Sequence, residues 1–112
     1  MNRGPIEFPK DIEAEVTLLP TQDGGRSTGV TSGYRPQFYY DGHHWDAIHT
    51  YPDSDVVNPG ETARAYLYLI SPQYHVGKLR PGKPFLLYEG RKLIGYGVVT
   101  RILNLEQSAK ED

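Results

Sequence analysis

Two segments of this chain alternate apolar and polar side chains with a period of two, and that alternation restricts the fold more than any other feature. In Ile12-Glu13-Ala14-Glu15-Val16-Thr17-Leu18 the apolar residues fall on one face and the polar ones on the other, the pattern of a half-buried strand. The run Glu61 to Ile70 repeats it. Ala63, Ala65, Leu67 and Leu69 share one face, while Arg64, Tyr66 and Tyr68 share the opposite one. No stretch of helical length carries the matching helical period. Between the strands the chain is punctuated by turn formers: twelve glycines and nine prolines in 112 residues.

Four more strands follow from the same punctuation. Residues 35 to 40 read as a strand with Pro36 near its start, because proline cannot donate to a ladder. Asp41-Gly42 is a tight-turn dipeptide leading to a strand over residues 44 to 50. Phe85 to Tyr88, the turn Glu89-Gly90-Arg91-Lys92 and Leu93 to Leu103 form the last hairpin. Gly95 and Gly97 inside its second strand mark a bulge or sharp bend. Six short strands suit a small antiparallel barrel or sandwich, and the pattern leaves both open. Residues 1 to 10 read as an irregular arm, residues 11 to 103 as one folded domain, and residues 104 to 112 as a disordered polar tail.

Composition narrows the function classes. A formal net charge of −2 makes the molecule as a whole no polyanion binder. Zero cysteines exclude disulfides and thiolate metal sites, which suits a reducing, cytoplasmic setting. No apolar run reaches membrane-spanning length, and the first residues lack a signal-peptide core. There is no G-x-x-x-x-G-K-[ST] loop. Gly95-Tyr96-Gly97 lies within a strand with no helix after it, so it is no dinucleotide fingerprint. The chain is read as a non-enzyme without a cofactor.

Three constellations remain. The first is Asp41, His43, His44, Asp46 and His49, whose side chains are suitable metal ligands. On a strand, however, adjacent histidines face opposite ways. A solvated turn is therefore the expected outcome, and a metal-dependent enzyme the lesser alternative. The second is aromatic: Tyr39, Tyr40, Trp45, Tyr66 and Tyr68 are interface candidates, with barrel filling as the plain reading. Stacking on nucleic-acid bases is the third use such residues have. The last constellation is basic: Lys78, Arg80 and Lys83 in one loop, with Arg91 and Lys92 in the next turn, are candidates for one positive patch, with scattered exposed cations as the plain reading.

One irregular block remains: Gly24-Gly25-Arg26-Ser27-Thr28, then Gly33-Tyr34-Arg35-Pro36-Gln37-Phe38-Tyr39-Tyr40. With Glu13-Ala14-Glu15-Val16 before it, and Val57-Asn58-Pro59-Gly60, Phe85, Glu89-Gly90 and Gly95-Tyr96-Gly97-Val98-Val99 after it, the chain resembles the third, C-terminal domain of elongation factor Tu. The resemblance runs from about residue 11 to 103. It implies an all-β fold, a six-stranded antiparallel Greek-key barrel. It also implies a non-catalytic role, since in that family nucleotide is held by a separate GTPase domain. The family's tRNA-facing positions fall on Arg26, Gln37, Glu89 and Gly90, and Arg35, Lys78, Arg80 and Arg91 join them as candidates for RNA or partner binding. A guanidinium pairs bidentately with phosphate, and glycine lets phosphate approach the backbone.

The departures from the family redirect the functional expectation. Ser27 stands where the family has a basic neighbour of the arginine, and Ser71 where it has a basic residue before a proline. Asp41 to Asp46 replaces a short charged-and-threonine stretch, Arg91 replaces a second glycine, and the loop from Ser71 to Pro84 is longer. The start at Met1 and the tail after Leu103 lead us to expect a stand-alone chain. Its expected role is a protein-binding module that borrows the factor's shape, as an antagonist or immunity-type protein would. Weak, salt-dependent binding of tRNA is the alternative.

Overall fold

A computed structural model describes residues 7–111. The expected arm over residues 1 to 10 falls largely outside them, and only its last residues are seen. Six strands form: β1 Ile12–Leu18, β2 Gln37–Tyr40, β3 His43–Thr50, β4 Thr62–Leu69, β5 Pro84–Glu89 and β6 Lys92–Ile102. They close into a barrel in the order β1-β4-β3-β2-β5-β6, with every pairing antiparallel. Strands β2, β3 and β4 neighbour one another in sequence order, and β5 returns beside β2. That is a Greek key. Closure settles the choice between barrel and sandwich.

The alternation read from the sequence decides what lies inside. Ile12, Ala14, Val16 and Leu18 of β1 and Ala63, Ala65, Leu67 and Leu69 of β4 line the core, with Phe38, Phe85, Leu87 and Ile94 facing them. β2 begins at Gln37 and not at residue 35. Pro36 has no N–H to offer, so the ladder starts after it. The chain before the proline is still held against β3, because the Gly33 N–H donates to the His49 carbonyl and the His49 N–H to the Tyr34 carbonyl, both at 2.8 Å.

Gly95 and Gly97 mark close approaches of β6 to its neighbours, and the irregularity in its ladder with β5 falls beside Gly95, at Ile94. A Cβ at Gly97 would lie 2.4 Å from the Phe85 ring and 2.7 Å from the Glu15 carbonyl oxygen. Only a glycine lets β6 fold this closely over both. The β5–β6 register slips between Leu87 and Tyr88, the bulge that turns the barrel corner.

The C-terminal segment corrects the expectation of a disordered tail. Leu105–Lys110 form a helix, α1. So short a helix does not hold by itself in water. Tertiary contacts hold it: Leu105 is buried, and the Ser108 hydroxyl donates to the carboxylate of buried Asp11. The other oxygen of Asp11 accepts the Leu69 N–H at 2.9 Å. α1 packs on a 3-10 turn at Pro72–Tyr74, within the long loop between β4 and β5. No helix among the described residues is long and apolar enough to cross a membrane.

Candidate functional site

Three parts of the barrel carry chemistry: its two ends and one outer wall. The first end is assembled from the Gly-Gly turn. After the 3-10 turn Thr21–Asp23, Gly24 takes a left-handed conformation with φ of 92°. A Cβ on Gly25 would sit 2.1 Å from the Leu19 carbonyl oxygen. Both glycines are thus required to deliver Arg26, whose carbonyl accepts the Thr21 hydroxyl at 2.6 Å. The Arg26 guanidinium forms an ion pair with Glu89 and lies over the Tyr34 ring, 5.3 Å from its centroid. The Tyr34 hydroxyl donates to the same Glu89 oxygen at 2.5 Å. Burial pulls the Arg26 pKa down, but the hydrogen bond and charge of Glu89 outweigh it and hold it above its usual value. Burial and Glu89 likewise raise the Tyr34 hydroxyl.

Arg26, Glu89 and Gly90 therefore meet at one corner, as the resemblance implies. Arg26 arrives there already paired, with Nε and Nη2 donating to the Thr28 carbonyl and hydroxyl at 3.3 Å. Gly90, at φ of 61°, is open on its exposed side. Gln37 borders this corner on the outer wall, in register with Asp46 and with Tyr88, the residue before Glu89. Arg35 reaches Asp46 at 3.2 Å.

The opposite end is built from the β2–β3 turn and the long loop. Asp41 and Gly42 both have positive φ, 50° and 81°, the geometry of a tight hairpin turn. Asp41 accepts a hydrogen bond from the Lys83 ammonium at 2.8 Å, and that ammonium lies 5.7 Å from the Tyr40 ring centroid. Below it the Tyr40 hydroxyl shares a 2.5 Å hydrogen bond with His75 Nδ1. Desolvation, with the Asp41 charge, pushes the Tyr40 pKa up to about 12. His75 is buried against Phe38 and Trp45, and Tyr74 stacks on the outer side of Trp45 at 5.4 Å.

The candidate single basic patch is not formed. Lys83 directly precedes β5, and Arg91 lies two residues past its far end. A six-residue strand separates them by on the order of 17 Å. Lys78, Arg80 and Lys83 belong to one end, Arg91 and Lys92 to the other.

The histidines divide as strand alternation requires. His44 packs outside the barrel against Tyr39 and Tyr88, at 4.7 and 5.2 Å, whereas His43 lies beside Trp45. His49 is in the core, sharing a 2.9 Å hydrogen bond with the Tyr51 hydroxyl. Among the described residues no group of three or more His, Asp or Glu side chains is placed to hold a metal ion.

The aromatic candidates also separate. Tyr40 faces inward and is 4% exposed. Trp45 is half-buried under Tyr74. Tyr66 is bridged by Arg64 and covered by Lys10, and Tyr68 is stacked on Phe8 at 5.8 Å. Only Tyr39 lies in a continuous outer row. Cross-strand registers align His44 with Tyr39, Tyr39 with Leu86 and Leu86 with Tyr96. Tyr88 and Leu93 form a second row beside it. Tyr96 is 47% exposed and Leu93 36%. Leu86, Tyr88, Leu93 and Tyr96 were not singled out from the sequence. Their outward parity was readable there, but the register joining four strands was not.

Compared with known protein families, residues 5–103 match the elongation factor Tu C-terminal domain.

Proposed function

Because the chain belongs to the elongation factor Tu C-terminal domain family, we propose that it is a translation-linked binding module acting in the cytoplasm by contact with another protein. The row His44, Tyr39, Leu86 and Tyr96, flanked by Tyr88 and Leu93, carries this reading. Aromatic residues of this kind form the centre of protein interfaces. The paired state of Arg26 supports the same reading, since a phosphate would have to compete with Glu89 for it. A partner that recognises the translation factor through this barrel would accept the chain in its place, which is how an antagonist or immunity-type protein works. The chemistry needs no catalytic group, and none is invoked.

Affinity capture from a lysate followed by mass spectrometry tests the proposal. A stoichiometric protein is expected with the natural chain and lost with the Tyr39→Ser/Tyr96→Ser double substitution. Equal recovery on both would refute the role of this wall.

The meeting of Arg26, Glu89 and Gly90 at one corner favours a second reading, weak contact with a tRNA backbone. Filter binding to tRNA at low and high salt separates the two. This reading requires Arg26→Ala to weaken binding and flatten its salt dependence.

A further inference from the structure

A cleft of about 300 Å³ opens where the aromatic wall meets the end of the barrel that holds the long loop. Tyr39, Pro84, Phe85 and Leu86 give it apolar sides, and Tyr40 with the Lys83–Asp41 pair closes one end. Its volume lies at the bottom of the range for small-molecule pockets and suits one or two side chains.

Lys83, paired with Asp41, is the cleft's one lining cation among the described residues, and Lys78 and Arg80 belong to the loop segment that leads to it. The Lys83 N–H donates to the Arg80 carbonyl at 3.0 Å, closing a turn that brings the two backbones together. Lys78, at the other end of the same short segment, is near enough to His75 to disfavour its protonation. Against Lys78, Arg80 and Lys83, the β2–β3 turn sets only Asp41. Lys83 is also held in place. Its ammonium lies over the Tyr40 ring, and the Gly82 and Val99 N–H groups bond its segment to β6 at 2.7 and 2.9 Å. A fixed ammonium loses little side-chain freedom when a carboxylate arrives. The barrel is closed, so a partner cannot dock by adding a strand to an open edge. It must insert side chains.

The geometry points to an acidic peptide segment of a partner protein as the occupant of this cleft, with one aliphatic or aromatic side chain seated beside Tyr39 and Leu86 and a neighbouring carboxylate that competes with Asp41 for Lys83. This rests on the protein-binding reading above and names the chemistry that the partner presents.

The experiment uses the full chain, isotope-labelled for amide NMR. The probe is an N-acetylated hexapeptide alternating glutamate and leucine, with the same peptide carrying glutamine as control. The glutamate peptide is expected to shift the amide signals of Tyr39, Tyr40, Lys83 and Leu86, and to lose affinity between low and high salt. Lys83→Gln should weaken it about threefold and Asp41→Asn tighten it by about the same factor, the scale of an exposed ion pair. Asparagine tolerates the positive φ at position 41, so the second variant keeps the turn. The opposite signs distinguish ligand contact from a merely structural effect. No shifts, equal shifts with the glutamine peptide, or the same sign for both variants would overturn the cleft proposal. Shifts confined to Leu93 and Tyr96 would overturn it too, while leaving the binding-module reading standing.

Discussion

Each end of the barrel hides a histidine that shares its Nδ1 with a tyrosine hydroxyl and has no hydrogen-bond partner at Nε2 among the described residues. The two are anchored differently. His49 sits within β3, and its backbone N–H and carbonyl are both bonded to the Gly33–Tyr34 segment. His75 lies on the long loop, just after a 3-10 turn, and reaches the core only because Phe38, Tyr40 and Trp45 surround it. One end is therefore part of the sheet. The other is a cap laid on it, with α1 packed against the outside. The cap end also borders the cleft, through Tyr40. Binding chemistry and the less firmly anchored histidine share one end of the molecule, while the sheet-anchored end carries the Arg26–Glu89 pair.

Acid should separate the two ends with the largest effect. Desolvation lowers the His49 pKa to about 3 and, with help from Lys78, the His75 pKa to about 4. Both are lowered, so the folded state keeps them neutral while the unfolded chain takes up protons below its ordinary pKa of about 6.5. The stability due to each is complete above that pH. It is lost as pH falls toward the folded value. At roughly 1.4 kcal/mol per unit, the loss approaches about 5 kcal/mol for His49 and about 3 kcal/mol for His75. Urea unfolding followed from pH 7 down to pH 3 measures it, with the two histidines separating only below pH 4. His49→Gln should flatten the pH dependence more than His75→Gln. The reverse order would mean that the cap, and not the sheet, holds its histidine more tightly out of water.

The second test loosens the cap from behind. Asp11 is buried and ties β1 to both Leu69 and Ser108. Asp11→Ala should cost about 3 kcal/mol, the scale for removing a charged hydrogen-bond partner in the interior. Amide exchange should quicken across residues 105 to 111 and, because α1 packs on the 3-10 turn, across residues 72 to 79 as well. The amides of Arg26 and Tyr34 should be unchanged apart from the global loss. Equal acceleration at both ends would erase the distinction between sheet and cap.

That distinction also marks where the sequence was legible. The sheet-anchored end was readable in its local parts, while the placing of Arg26 with Glu89, 63 positions apart, followed only from the family resemblance. Gly24-Gly25 must turn, Pro36 marks the start of β2 to within two residues, and alternation sends Ala63, Ala65, Leu67 and Leu69 inward. The cap was not readable, because its anchors are distant in sequence. His75 meets Tyr40 across 35 positions and Ser108 meets Asp11 across 97. No periodicity reports such a contact, so a polar tail and a basic loop were the natural readings of residues that are in fact a docked helix and a lid over the core. The scattering of the five cations has the same origin: Lys83 and Arg91 are close in sequence but stand at the two ends of β5. For the outer wall, parity was legible and register was not. Tyr39 could be named as an interface candidate, whereas its alignment with Leu86 and Tyr96 depends on a bulge and a barrel closure that lie outside any local pattern.

The smallest effect is expected at the Arg26 corner, and it decides which end meets a ligand. Arg26 and Glu89 are 25% and 34% exposed, so water already screens their attraction. Glu89→Gln keeps an acceptor for the Tyr34 hydroxyl and removes only the charge. Stability should fall by about 1 kcal/mol or less, and by less still in high salt. The informative readout is binding. If the corner is a structural tie, as its pairing with Glu89 and its stacking on Tyr34 suggest, the variant should bind tRNA no better than the natural chain and retain its protein partner. If Glu89 instead masks a phosphate site, releasing Arg26 should raise tRNA affinity and steepen its salt dependence. The second result would move the functional surface to the sheet-anchored end and leave the cleft beside the cap without a role.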